Sequence, residues 1–400
     1  MGKWKLALLS IVILLTLSTI FYNISLANGV ETVNVQQFGA RGDGVTDDTQ
    51  AIQQAINSSA GKTVIFPEGT YMIKSLNLPS NISLQGQGAV LQARGETRTC
   101  MILKGSNIKI SNLTIDGIDK VLTGIYISMG SENILIQNTT IQNFSTSNPK
   151  LHNHPIPSGV RIFGNTKNIT IDRSTIKNIY SRVPVKSSGN HYVARGVFIM
   201  PYSVSKPEKA PENIVIQDSL FDGIGPKDDG DGINVQNFKQ KVTLTIKNNK
   251  FENNHKRAIK IQDPGAVITG NTIINSFNGN NHYQTYAETN THDMFSAISV
   301  YASDILIEDN TISGSGSYSA AIDIDSAHNV TIRNNKLENG FTSRYRTNPL
   351  IRVNSVGNRT KAISDLTITG NHLENGSNGI YFASPIRNVT LSDNTLVNCK

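Results

Sequence analysis

A short pattern recurs through most of this chain and leaves few folds open to it. Asn or Asp is followed by an alternating apolar triplet, then by a polar turn containing Asn and a further apolar pair. Clear copies begin at Asn107 (NIKI), Asn133 (NILI), Asn168 (NITI) and Asn213 (NIVI), and again at Asp304 (DILI), Asn329 (NVTI), Asp365 (DLTI) and Asn388 (NVTL). Units near Asn81, Val242 and Ala266 extend the series. Apolar residues alternate at period two, as in strands that bury one face. A single unit cannot bury that face, so units must stack on a shared core. A repeat of some twenty to thirty residues is the length of one β-solenoid turn. Asn at equivalent turns tolerates left-handed backbone and can hydrogen-bond to its copy in the next turn. The fold expected is all-β, a single right-handed parallel β-helix. A β-sandwich is disfavoured because two-residue hairpin turns do not recur.

A second strand family lies between these units. Its members begin at Gly124 (GIYIS), Gly159 (GVRIF), Gly196 (GVFIM), Gly232 (GINVQ) and Ala258 (AIKIQ), then Ala297 (AISVY), Ala321 (AIDID), Leu350 (LIRVN) and Gly379 (GIYFA). Second and fourth residues should point inward, which sends the third and fifth to solvent. Insertions at about 144–157, 180–194, 275–295 and 340–348 all precede a strand of this family. They are expected to project on one side and wall a cleft.

The chain has 400 residues, 17% of them charged, with a formal net charge of +7. Low charge suits long sheets with tight turns better than amphipathic helices, and length is a poor guide to domain number in a repeat fold. Residues 1–27 read as an export signal: Lys3 and Lys5, an apolar run from Leu6 to Phe21, then Ser25, Leu26 and Ala27. An uncleaved N-terminal anchor is the competing reading; no other segment is apolar enough to span a membrane. Cleavage would remove two lysines and no acid, lowering the charge to +5. The remainder, 30–400, is expected to be one domain with an N-terminal cap at about 33–62. It should be monomeric and secreted or displayed at the cell surface. Basic blocks interleaved with aromatics are lacking, which excludes nucleic acid as the expected partner. Cys100 and Cys399 fall near opposite ends of the array. At ~4.8 Å per stacked strand they are too far apart for a disulfide, which needs Cα atoms within ~7 Å.

The segment from Val33 to Thr49 (VNVQQFGARGDGVTDDT), a helical stretch to Asn57, and Thr63 to Tyr71 (TVIFPEGTY) together resemble the N-terminal cap and first coil of the pectate-lyase/polygalacturonase-like superfamily. The resemblance implies a right-handed β-helix acting on polysaccharide, and the repeats carry it to the C-terminus. In physical terms the short helix covers the open end of the core, with Thr46, Asp47 or Asp48 as its N-cap. Asp43, Asp47 and Asp48 are read as capping groups rather than a metal site. Polygalacturonases of this superfamily carry an NTDG segment, a DD pair, a GHG and an RIK on successive coils. Here Asp231 to Asn234 (DGIN) resembles the first, but Lys256 and Arg257 stand at the Asp pair and Phe295 and Ser296 near the His.

Aligning the second strand family by its Gly/Ala stacks Arg195, Asp231 and Arg257 on adjacent coils. It also lines up Phe198, Asn234, Lys260, Ser299, Asp323 and Arg352. An acid–base hydrolase needs one carboxylic acid of raised pKa, and Asp231 between two arginines should instead stay ionised. A lyase or epimerase must neutralise a uronate carboxylate and remove the C5 proton. The catalytic set expected is therefore Lys260 as base, Arg257 or Arg195 as neutraliser, and Asp231. Asn234, Gln236, Gln262, Asp323, Asp325, Arg352, Tyr301 and Arg161 are expected to bind substrate. Asp228, Asp229 and Asp231 are a candidate Ca²⁺ cluster; the alternative is no cofactor at all. Some pectate lyases resemble this arrangement. Tyr126, Phe198, Tyr301 and Tyr381 are candidate sugar-stacking platforms. His255 reads as a turn residue, and His152, His154, His191, His282 and His292 lie in insertions. The expected activity is elimination or epimerisation on an anionic polysaccharide. A hydrolase using Asp231 with Asp323 or Asp325 and a non-catalytic glycan-binding or surface solenoid are the alternatives.

Overall fold

The computed structural model describes residues 31–145, 148, 156–186, 192–225, 229–254, 257–274, 296–313, 320–338, 349–354 and 363–399. Their strands form three parallel sheets of 13, 13 and 11 strands, each sheet built from every third strand in sequence. This is the right-handed parallel β-helix expected from the repeat. The recurring Asn unit supplies the first two sheets, and the Gly/Ala family supplies the third.

Register follows the sequence pattern closely. In the first sheet Ile108, Ile134, Ile169 and Ile214 stack as inward-facing partners. In the third, Ile125, Val160, Val197, Ile233, Ile259, Ile298, Ile322, Ile351 and Ile380 form one column. The core is thus a continuous stack of branched aliphatics. Phe221 and Phe251 stack within it at 4.7 Å between ring centroids. Gly is required beside it at Gly196 and Gly232, where a Cβ would come within 2.4 Å of the Gly232 carbonyl oxygen and 2.6 Å of that of Ala258.

Two Asn ladders lock the bends. The leading Asn or Asp of each unit has positive φ, for example Asn133 at 55° and Asn329 at 52°. Its amide donates to the copy one coil back, as in Asn133 to Asn107 (2.9 Å) and Asn168 to Asn133 (2.8 Å). A second ladder is buried: Asn249, Asn271, Asn310, Asn335, Asn371 and Asn394 each bond to the next through side-chain amides at 2.9–3.0 Å. Burying an amide is tolerable only when its donors and acceptors are all met, and stacking identical side chains does this.

The N-terminal end is capped by helix α1 (Thr49–Asn57), which turns Ile52, Ala55 and Ile56 onto the core. The three acids before it have local duties. Asp47 accepts from the Thr49 backbone N–H (3.1 Å). Asp48 accepts from the backbone of Arg41 and Gly42, and Asp43 from that of Val45 and Thr46. Those turn bonds hold the Asp43 carboxyl down at about 2. Both cysteines are free, and burial pushes the Cys100 thiol up to about 12. Among the described residues no helix is long and apolar enough to cross a membrane.

Candidate active site

Every insertion noted in the sequence interrupts the passage from a second-sheet strand to a third-sheet strand. The flanks are Thr140–Phe144 and Ser158–Ile162, Thr175–Ile179 and Val193–Ile199, Thr272–Ile274 and Ile298–Val300, and Lys336–Glu338 and Ile351–Asn354. All four therefore open from the same corner of the solenoid, beside the outer face of the third sheet. A further insertion, 200–211, leaves the opposite edge of that sheet between Ile199 and Glu212.

The outer face carries the two predicted rows in register. Arg195 pairs with Asp231 and Asp231 with Arg257. Arg161, Phe198, Asn234, Lys260, Ser299, Asp323 and Arg352 form the second row. One expectation fails. The alternation sends the third residue of each strand to solvent, yet Asn234, Ser299 and Asp323 are fully buried, as are Arg195, Asp231 and Arg257 in the row just before the Gly/Ala. Phe198 is no open sugar platform either; its ring is buried between the guanidinium groups of Arg161 (5.3 Å) and Arg195 (5.6 Å). Period-two alternation reports which side of a strand faces the core, and it is silent on what covers the other side.

Charge compensation makes the buried row tolerable. Arg195 reaches Asp229 at 2.5 Å and Asp231 at 3.1 Å. Arg257 reaches the same two carboxylates at 2.7 and 3.0 Å, and its Nε donates to Ser299 Oγ at 3.1 Å. Asn234 donates to Asp231 at 2.8 Å. Asp231 is thus enclosed by two guanidinium groups and an amide and has no exposed oxygen to offer a substrate. Asp229 and Asp231 are likewise turned to guanidinium groups rather than grouped round an open centre, which does not fit a Ca²⁺ site. Asp228, the third member proposed for that cluster, lies outside the described residues, as do His152, His154, His191, His255, His282, His292 and Lys256.

The least buried groups of the cluster are others. The Lys260 side chain is 10% exposed and that of Asp229 20%, against 0% for Asp231 and Arg257. Lys260 Nζ lies 3.5 Å from Asp229 Oδ1 and 5.8 Å from the ring centroid of Tyr301. One coil beyond Ser299, Arg352 grips Asp323 through Nε (3.2 Å) and a terminal nitrogen (2.6 Å). Asp325 is buried and accepts from Ser326. Gln262 follows the strand Arg257–Ile261 and is half-buried. Tyr381 is exposed on the last coil.

On the other side of Phe198 the outer face opens into a cavity of about 580 Å³. Arg98, Tyr126, Arg161, Phe163, Tyr202 and Gln236 are among its lining residues. Phe163 bridges Tyr126 (4.6 Å between centroids) and Tyr202 (5.9 Å). Sequence reasoning found Arg161, Gln236 and Tyr126 here but missed Arg98, Phe163 and Tyr202. Arg98 sits on Thr97–Leu103, a third-sheet strand without the Gly/Ala signature. Tyr202 rides the 200–211 insertion, whose added length was the available signal.

A three-sheet parallel solenoid with a buried charged row on its third sheet defines a right-handed β-helix protein. The chain belongs to the rhamnogalacturonase A/epimerase, pectate lyase-like family, whose model matches residues 32–282, and a right-handed β-helix region matches 231–400. It is similar to plasmin and fibronectin-binding protein A of Streptococcus pneumoniae, at 28% identity over 324 residues, covering 66% of this chain and 43% of that protein. It is also similar to alginate lyase 7 of Azotobacter vinelandii, at 37% identity over 110 residues, covering 25% of this chain and 11% of the relative. The chain spans less than half the length of these relatives. Among solved structures, the A-module of the Azotobacter vinelandii mannuronan C-5 epimerase AlgE4 superposes with a TM-score of 0.65 at 17% identity, covering 92% of this chain and 96% of the module. At that identity the likeness is one of fold.

Proposed function

We propose that this protein is an exported lyase or C5-epimerase acting on an acidic polysaccharide, with Lys260 as the group that removes the C5 proton. The observation that carries the reading is the division of labour in the cluster. Its carboxylates are locked to buried guanidinium groups, while a lysine amine stands at the cleft wall between Asp229 and Tyr301. Hydrolysis of a glycosidic bond needs a carboxylic acid that keeps its proton. Asp231 and Asp323 are both fully buried and engaged by arginine, so neither presents a carboxyl group to a glycosidic oxygen.

Elimination asks for less. Arg195 and Arg257 are buried and already matched by Asp229 and Asp231, so they hold Asp229 in place beside Lys260 rather than meet the uronate carboxylate themselves. Lys260 takes the C5 proton once its Nζ has given up its own, against the pull of Asp229 at 3.5 Å, and the C5–H electron pair moves into the carboxylate-stabilised carbanion. Expulsion of the C4 oxygen, which then takes up a proton, leaves a C4–C5 double bond. Return of a proton to the opposite face of C5 instead gives the epimer, with no bond broken in the chain. Arg195 and Arg257 act here as positioning residues, through Asp229 and Asp231.

Incubation with polygalacturonate, polymannuronate, polyguluronate and polyglucuronate tests this directly. Ultraviolet absorbance of an unsaturated product, or exchange of the C5 hydrogen with deuterated solvent, is expected from the wild type and lost in Lys260→Ala. New reducing ends without either signature would contradict it. A second reading, glycan or protein binding without catalysis, is favoured by the similarity to the plasmin and fibronectin-binding protein over two thirds of the chain. It predicts ligand retention and no chemical change.

A further inference from the structure

The cavity beside Phe198 is separate from the Lys260 cluster, and the proposed chemistry does not use it. It is lined by two cations, Arg98 and Arg161, and by aromatic faces, while no Asp or Glu is among its described lining residues. The guanidinium of Arg161 is only partly satisfied. One terminal nitrogen donates to the Ile156 carbonyl (3.0 Å) and more weakly to Ser158 Oγ (3.4 Å), and its buried Nε has no partner. Burial, and then the charges of Arg98 and Arg195, pull the Arg161 guanidinium down to about 10, partly offset by Tyr126. It is therefore a half-buried cation with no ion-pair partner among the described residues. Glu208 makes no ion pair with Arg161; its carboxylate accepts from the backbone N–H of Tyr202 (2.6 Å) and Gly164 (3.1 Å).

We infer that this cavity is a second sugar-binding subsite, which takes the carboxylate of a uronate unit on Arg161 and Arg98 and packs its ring against Tyr126, Phe163 and Tyr202. The inference rests on the reading of the protein as polyuronate-directed and adds a direction to it. Arg161 and Lys260 stand three strands apart in one row, or ~14 Å at ~4.8 Å per strand. A polymer that fills both sites runs along the solenoid axis, and its units are read at two places by charge. The planar fork of arginine suits a carboxylate, and an aromatic face beside it covers the apolar side of a sugar ring. The Arg161–Phe198–Arg195 sandwich couples the two sites by sharing one ring.

Calorimetry with tetramers of galacturonate, mannuronate and guluronate, with their methyl esters, and with sulfated neutral tetramers tests the subsite. At least one acidic tetramer should bind the wild type about tenfold more tightly than its ester. Both Arg161→Gln and Arg98→Gln should remove most of that preference. Arg98 is exposed, so its substitution leaves the fold intact even if Arg161→Gln does not, and Arg161→Lys should restore part of the preference. Acid and ester binding alike, no binding by any tetramer, or an unchanged preference in both variants would overturn the subsite. Equal Arg161-dependent binding of the sulfated tetramers would overturn its assignment to a carboxylate. Acid-selective, Arg161-dependent binding without product would instead sink the lyase reading and leave the subsite standing. Lys260→Ala, which should bind tetramer but form no product, separates the two.

Discussion

The first and third sheets are built on the same inward columns of Ile and Val, and they differ in what they turn outward. On the first sheet the central outward row runs from the exposed Lys109 through half-exposed neutral residues, Leu135, Thr170, Val215, Thr245, Val267, Leu306, Thr331 and Thr367. The charges of the flanking rows, such as Lys167 with Glu212 and Glu308 with Arg333, stay exposed or half-exposed. On the third sheet the equivalent rows hold Arg195, Asp231, Arg257, Lys260 and Asp323, charged and almost fully buried. Stability alone would favour the opposite placement, because a buried ion pair often contributes no more than an apolar substitute would. The third sheet accepts that cost and holds a fixed charge pattern on its outer side. The lesson is that one solenoid carries a structural face and a chemical face, told apart by burial of charge rather than by strand pattern.

Substitutions on the two faces should therefore behave very differently. Arg257→Ala leaves Asp229 and Asp231 to share Arg195 in a largely buried site, and a loss of about 3–5 kcal/mol in urea unfolding is expected. A loss near zero would mean that the row is open to water and the contrast between the faces is false. Asn310→Ala, on the buried ladder, removes donors to Asn335, Ile268 and Glu308 and the acceptor for Asn271. About 1–3 kcal/mol should be lost. Thr331→Ala, which only pairs across to Leu306 and Thr367 on the first sheet, should change stability by less than ~0.5 kcal/mol. If Thr331→Ala cost as much as Arg257→Ala, the two faces would not differ in kind.

Much of the fold was legible because stacked coils repeat their constraints. A Gly or Ala is needed wherever the third-sheet backbone approaches the next coil, as at Gly196 and Gly232, so aligning those residues fixed the register of Arg195, Asp231 and Arg257. Asn at left-handed bends marked the other two sheets. The site was legible in its positions and less so in its roles. Which of two adjacent carboxylates reaches the cleft depends on side-chain direction, and the structure gives that place to Asp229 rather than Asp231. The cavity was half hidden because its walls come from a coil without the Gly/Ala mark and from an insertion on the opposite edge.

The claim that the third-sheet face is the working surface, with Lys260 at its centre, is tested most directly by a crystal structure of Lys260→Ala soaked with a polyuronate oligomer. The oligomer is expected to lie along the solenoid axis on the third sheet, with one unit beside Asp229 and Tyr301 and a carboxylate on Arg161. An oligomer bound on the first or second sheet, or one lying across the third sheet away from residue 260, would contradict it.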